Sequence, residues 1–379
     1  MRWTKKSTHD NGRENPATPR TRNWKTRVRA TVAAVAVAVG LAPTAALPAA
    51  ATTAAAQQQA RQVTYVANTN SNTVSAINVR NNTVIATIPV GTAPIGVATT
   101  PDGTRVYVTN ALSRNVSVIN TATNAVIATI PVEVNPVGVT VSPNGNRAYV
   151  VNNGSNNVSV IDTAANTVIT TVTVGTAPAA AAVTPNSRFV YVTNTGSNNV
   201  SVINARTNTV VTTITVGTTP SGVAITPDNF VYVSNAGSNN VTVIDADTNA
   251  IVTTITVGTR PAVVAVEVTP DDGTFVWVAN NGSNNVSVID TDTNTVVGTV
   301  PVGTNPLGVA VAVTPNGDFV YVTNNGSNNV TVIDANRLMV LTTVTVGNTP
   351  SGAAVANVQG AQEQAAGAGV DGVIDNIMG

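Results

Sequence analysis

A tetrad written Tyr65-Val66-Ala67-Asn68 at its first appearance returns at Tyr107, Tyr149, Tyr191, Tyr232, Trp277 and Tyr321. The spacings are 42, 42, 42, 41, 45 and 44 residues, so the chain contains seven copies of one unit. A period of this size marks a supersecondary piece that buries its apolar faces only against its neighbours. Within one copy, four short runs occupy residues 106–110, 115–119, 126–130 and 137–141. All are rich in Val, Ile, Thr and Tyr with period-two character, as half-buried strands require, and none has helical spacing. The linkers between them are short, and pairs such as Asp102-Gly103, Asn144-Gly145 and Asn316-Gly317 supply the positive φ of tight turns. Consecutive strands are therefore antiparallel, because parallel crossovers need more chain. Seven four-stranded antiparallel units predict an all-β fold, a seven-bladed β-propeller.

The strand order within a blade can also be argued. The third run ends on Pro89, Pro131 or Pro301 in three copies and on Thr in the rest, and a proline cannot donate in mid-sheet, so this strand is the outer edge. The Pro-x-Gly-Val-Ala run is then innermost. Its small residues, Gly96, Gly138, Ala180, Gly222, Gly308 and Gly352, suit a crowded ring centre. Residues 263–268 and 309–313 carry two extra residues relative to 223–225, an insertion that keeps every side chain on its face. Since the first tetrad has no inner run before it and the last inner run has no tetrad after it, residues 351–356 should pair with 63–68 and close the ring. The expected organisation is a processing region (1–56), the propeller (57–356) and a flexible tail (357–379).

Composition differs sharply between the two ends. Nine of the 18 basic residues lie before Arg61, leaving 9 Arg against 16 Asp and Glu from residue 57 onward, a net charge of −7. No Lys follows Lys25, so the clustered cations that neutralise nucleic-acid phosphates are missing. Ahead of the repeats, a basic stretch ending at Arg29 leads into an uncharged apolar run, 32–42, and then Ala-rich sequence. This reads as a secretory signal cleaved after Ala51 or Ala56, with an apolar run too short to span a bilayer. The expectation is a secreted or cell-surface monomer with no membrane span after cleavage.

The tetrad stands as Tyr-Val-Thr-Asn at Tyr107, Tyr191 and Tyr321, flanked in register by Pro-x-Gly-Val-Ala, Thr-Pro-Asp-Gly and Val-Ser-Val-Ile-Asp. Over about residues 63–356 the chain resembles the YVTN-family β-propeller repeat proteins. The resemblance implies a place in a surface layer or among secreted or periplasmic proteins, and it brings no shared catalytic motif. Related propellers include lactonase-like enzymes and lyases that depend on His and Glu positions, and the His is missing here.

The single histidine, His9, precedes the repeats, and residues 57–379 contain no His, Cys or Lys. Histidine-based nucleophile systems, thiolate chemistry, His or Cys metal sites and lysine Schiff bases are thereby excluded from that region. No cofactor is expected. Asp290-x-Asp292-x-Asn294 and Asp245-x-Asp247-x-Asn249 resemble the opening of a calcium loop but lack its later Gly and Glu. They read as turns stabilised by their own Asx side chains, a weak Ca²⁺ site being the alternative. Gly-Ser-Asn-Asn recurs at 154–157, 196–199, 237–240, 282–285 and 326–329, either as hairpin loops or as a multivalent ligand surface. Three charges break the repeat and are the ligand-face candidates: Glu133 where Gly91 and Gly175 stand elsewhere, Arg260 before Pro261, and Glu267 within an inner strand, where it could face channel water. Trp277, at a tyrosine position, is expected in the core. The functional expectation is a non-catalytic binding or structural scaffold for an extracellular or cell-envelope protein or glycan. A lactonase-like hydrolase or lyase using carboxylates and a divalent cation is the alternative; it needs at least two of Glu133, Glu267 and the Asp271-Asp272 pair in one pocket.

Overall fold

Four-stranded antiparallel sheets recur seven times in the computed structural model, which describes residues 61–269 and 273–358. The expected signal region, most of the expected tail, and Asp271 and Asp272 lie outside those residues. In blade 2 the order from the axis outward is Pro94–Thr99, Arg105–Asn110, Asn115–Asn120, Ala125–Pro131. Blades 3 to 7 repeat this order, with inner strands Pro136–Val141, Pro178–Val183, Pro220–Ile225, Pro261–Thr269 and Pro306–Thr314. Inner strands of consecutive blades touch all the way round, as the proline and glycine positions predicted.

Blade 1 joins the two ends of the repeat. Pro350–Val358 pairs antiparallel with Arg61–Asn68, followed outward by Thr73–Asn78 and Thr83–Pro89. The pairing includes Val63 with Ala356 and Val66 with Ala353, which is the expected closure. It continues through Gln62 with Asn357 to Arg61 with Val358, so the strand runs two residues past the boundary expected at Ala356. The reason is a longer inner hairpin, shared with blades 6 and 7, whose inner strands also have 9 residues against 6 elsewhere. Three consecutive blades, 6, 7 and 1, thus stand taller near the axis.

The core lies between blades. Each of the seven apolar clusters joins two consecutive blades, for example Tyr65, Val74 and Ile88 of blade 1 with Val106, Val108 and Ile119 of blade 2. In the middle of each blade neither face meets water, so the tetrad strand and the strand outside it are buried at nearly every position. Where neighbouring inner strands converge, a Cβ on Gly138 would come 2.6 Å from the Ala179 carbonyl oxygen, and one on Gly96, Gly222, Gly308 or Gly352 would strike the next strand's backbone in the same way. Close approach favours glycine at those five positions, while blades 4 and 6 carry Ala180 and Val263 at the matching place.

Outer strands share a second irregularity. Their pairing with the third strand slips once in every blade, leaving Ile85, Ile127, Ile169, Val211, Val252, Val297 and Leu341 as the extra, bulged residue. These side chains are 38–51 % exposed. Because strands alternate in direction, loops fall on two faces: a connector face, where an outer strand leads into the next blade, and a turn face opposite.

Candidate functional site

On the connector face, the Gly-Ser-Asn-Asn loops are tied into the ring. The serine Oγ of each blade (Ser71, Ser113, Ser155, Ser197, Ser238, Ser283 and Ser327) accepts a backbone N–H of the incoming connector at 2.5–3.1 Å. The first asparagine sits at positive φ, and in six blades its Oδ1 accepts an N–H of the outgoing connector at 2.8–2.9 Å. In blade 2 this residue is Arg114. The second asparagine accepts from the tetrad asparagine, as Asn157 does from Asn152 Nδ2 at 2.8 Å. The repeated polar loops are therefore blade-to-blade staples as well as hairpins.

The turn face is organised by Asx turns. Asp290 Oδ1 accepts the N–H groups of Asp292 and Thr293, and Asp245 Oδ1 those of Asp247 and Thr248. Asn120, Asp162 and Asn204 make the same pair of bonds. The calcium-like spacing is thus that of a turn whose first carboxylate is engaged by its own backbone. A backbone N–H holds the Asp245 carboxyl below its ordinary value. Asp162 is held low in the same way, helped by Arg147 at 2.5 Å.

The last residue of each such turn carries a contact that the sequence reading did not anticipate. The hydroxyl of the tetrad tyrosine donates to the turn asparagine of the next blade: Tyr65 to Asn124, Tyr107 to Asn166, Tyr191 to Asn249, Tyr232 to Asn294 and, across the closure, Tyr321 to Asn82, at 2.6–2.9 Å. Burial pushes the Tyr65 phenol up to about 12, and it does the same to Tyr191 with Asp245 and Asp247 adding to the effect. Tyr107, Tyr149, Tyr232 and Tyr321 are raised as well, again chiefly by burial. Between blades 6 and 7 the latch is rebuilt. Trp277 replaces the tyrosine, Leu338 replaces the asparagine, and the indole Nε1 donates within blade 6 to Glu267 Oε2 at 2.8 Å. Trp277 is fully buried, as expected, with Leu338 packed against the same cluster.

This geometry separates the three ligand-face candidates. Glu133 is exposed on the connector face between blades 2 and 3. Elsewhere the position is glycine packed on the tetrad asparagine: a Cβ on Gly91 or Gly175 would stand 2.7 Å from the carboxamide carbon of Asn110 or Asn194. Arg260 is exposed on the same face three junctions away, and its backbone N–H donates to Asn239 Oδ1. Glu267 does not face channel water. It is 0 % exposed, because the two-residue extension of the blade 6 hairpin carries it in beside Trp277, toward the turn face. Glu133 and Glu267 are thus in different blades and toward opposite faces. Among the described residues, no three of His, Cys, Asp and Glu converge to hold a metal ion.

A depression of about 330 Å³ opens on the turn face between blades 2 and 3, lined by Asp102, Arg105, Asn144 and Thr163 among others. Arg105 crosses the junction to donate to the Thr163 carbonyl at 2.5 Å. Asp102 is raised by burial, but its hydrogen bonds with Thr100 and Thr104 outweigh this and hold it low. None of the three candidates lines this depression.

The YNCE-like beta-propeller family model matches residues 24–359. The chain belongs to that family. Solved structures with the same fold include the Kuenenia stuttgartiensis hydrazine synthase, 24 % identical over 72 % of this chain and 92 % of that one, with a TM-score of 0.64. A functionally unknown protein from Desulfotomaculum acetoxidans is 17 % identical over 78 % and 99 %, TM-score 0.69. A candidate 6-phosphogluconolactonase from Bacteroides uniformis is 16 % identical over 78 % and 100 %, TM-score 0.65. At these identities the likeness is one of fold. No curated protein matches the chain. No helix among the described residues is long and apolar enough to cross a membrane.

Proposed function

We propose that this YNCE-like propeller is a secreted, non-catalytic scaffold that presents a rigid ring to an extracellular or cell-envelope protein or glycan. The observation that carries the reading is the engagement of the repeated polar side chains on both faces. Serines and asparagines of the connector face hold backbone N–H groups, while the first Asx of most turn-face loops holds its own turn. Five tetrad tyrosines hold the next blade. Acid–base catalysis needs groups that converge on one point with a proton to move. Glu133 and Glu267 do not converge, and the Glu267 carboxylate accepts the Trp277 indole N–H. Secretion is supported by the basic stretch and short apolar run ahead of the repeats.

Purified residues 57–379 should retain a specific ligand on glycan and peptide arrays, yet show no turnover in a lactone-hydrolysis panel with Ca²⁺, Mg²⁺ or Mn²⁺. Turnover that a chelator abolishes would select the lactonase-like alternative. Material recovered from culture medium should begin after Ala51 or Ala56 on N-terminal sequencing, and an intact N-terminus there would contradict cleavage.

A further inference from the structure

The perimeter of the ring carries a repeated feature that no contact inside it explains. None of the seven outer strands contains a charged residue, from Thr83–Pro89 in blade 1 to Met339–Thr345 in blade 7. All seven bulged residues are Ile, Val or Leu and exposed, and each follows another aliphatic residue. A bulge on an open edge interrupts the ladder that another chain would extend, a task that sets no requirement for an aliphatic side chain. Scattered exposed apolar residues are ordinary, whereas a band of aliphatic pairs at one height around the circumference is not.

The turn-face loops beside this girdle differ in charge from blade to blade. Arg80 in blade 1 and Arg206 in blade 4 are exposed and form no ion pair among the described residues. Adjacent blades 5 and 6 carry exposed Asp247 and Asp292 at the matching position. Blades 3 and 7 are neutralised within themselves, by Arg147 with Asp162 at 2.5 Å and Arg337 with Asp334 at 2.6 Å. The perimeter thus has one acidic sector and two basic ones over a continuous uncharged, aliphatic edge.

We propose that this protein associates laterally with further copies of itself, the acidic edge of blades 5 and 6 in one copy meeting the basic edge of blade 1 or blade 4 in the next. The bulged aliphatic side chains pack between the copies. The two surfaces differ, so the contact is heterologous and propagates into larger assemblies instead of stopping at a pair. The bulges disfavour a continuous intermolecular ladder, which leaves side-chain packing as the mode of contact. A seven-residue strand is only about 24 Å long, so one edge buries less than the roughly 800 Å² per partner of a stable interface. Association is accordingly weak, with dissociation constants of roughly 10 µM or more. It replaces the monomer expected from the sequence, and it is independent of the scaffold reading, since an enzyme could assemble in the same way.

Sedimentation velocity on residues 57–379, which contain the whole closed ring, tests this. The weight-average mass should rise with protein concentration. Asp247→Arg with Asp292→Arg should weaken association by about 10-fold or more, and adding Arg80→Glu with Arg206→Glu should restore it. Val252→Lys with Val297→Lys should weaken it independently, with an unchanged circular-dichroism spectrum showing that the ring is intact. A wild-type chain that stays monomeric to about 1 mM, or association indifferent to all these variants, overturns the proposal. So does a monomer that binds phosphatidylcholine vesicles through the girdle, which would assign the band to a lipid surface.

Discussion

Trp277, Glu267 and Leu338 show how one blade junction can dispense with a contact that five others make through a tyrosine and an asparagine. An indole cannot deliver its N–H where a phenol hydroxyl would reach, so the acceptor moves into blade 6 and the former acceptor position becomes apolar. The latch itself is testable at Tyr321. Tyr321→Phe removes the bond to Asn82 and should cost about 1–2 kcal/mol in urea unfolding, because it leaves a part-buried acceptor unpaired. Tyr149→Phe should cost less, since Asn208 Oδ1 at that junction already lacks a partner. The tetrad tyrosines were plain in the sequence, but their acceptors lie 58–62 residues further along the chain and 239 residues back across the closure. One signal was available: Trp277 and Leu338 depart from the repeat in consecutive copies, at the two ends of the same latch. Glu267 was singled out correctly as an irregularity and placed in the wrong surroundings, because its burial depends on the rebuilt junction.

At the scale of strands, the order within a blade followed from proline at the outer edge and glycine at the inner one, and both inferences hold in the structure. The Gly308 position shows why the small residue matters. Gly308→Val would drive a side chain into the backbone at Ser351, across the junction beside the closure, and should destabilise the ring by about 1–3 kcal/mol in calorimetric or urea melts. An unchanged melt would mean that the inner strands can spread. The two extended hairpins within the chain were legible as insertions of two residues. The third was hidden, because its halves, Arg61–Asn68 and Pro350–Val358, are separated by almost the whole repeat array. The bulges were not legible at all, since an extra residue in a strand of unvarying Val, Ile and Thr leaves no break in the pattern.

For the molecule as a whole, the absence of Lys, Cys and His from residues 61–358 isolates its alkaline titration. Six tyrosines have raised values in the folded state, with Tyr65 and Tyr191 at about 12 against roughly 10 when unfolded. A raised folded value means that the contribution is fully present below the unfolded value and is lost as pH rises through the folded one. Stability should therefore stay level up to about pH 10 and fall steeply between about pH 10 and 12, with tyrosinate absorbance and loss of the β-sheet signal rising together. Tyrosinate appearing well before any structural change would show that the hydroxyls ionise without breaking the latches. Blade count and closure were readable from spacing alone, whereas the surface proposed for a partner depends on how the copies differ at their rims.

Arg61 and Val358 face each other as the outermost pair of the closing ladder, so both ends of the ring leave side by side on the turn face. A pull applied between them would open that ladder like a zip, loading one pair of hydrogen bonds at a time, whereas a sliding load would strain all of them together. The ring is thus mechanically softest at its own seam, and an attachment at either end alone would leave the seam unloaded.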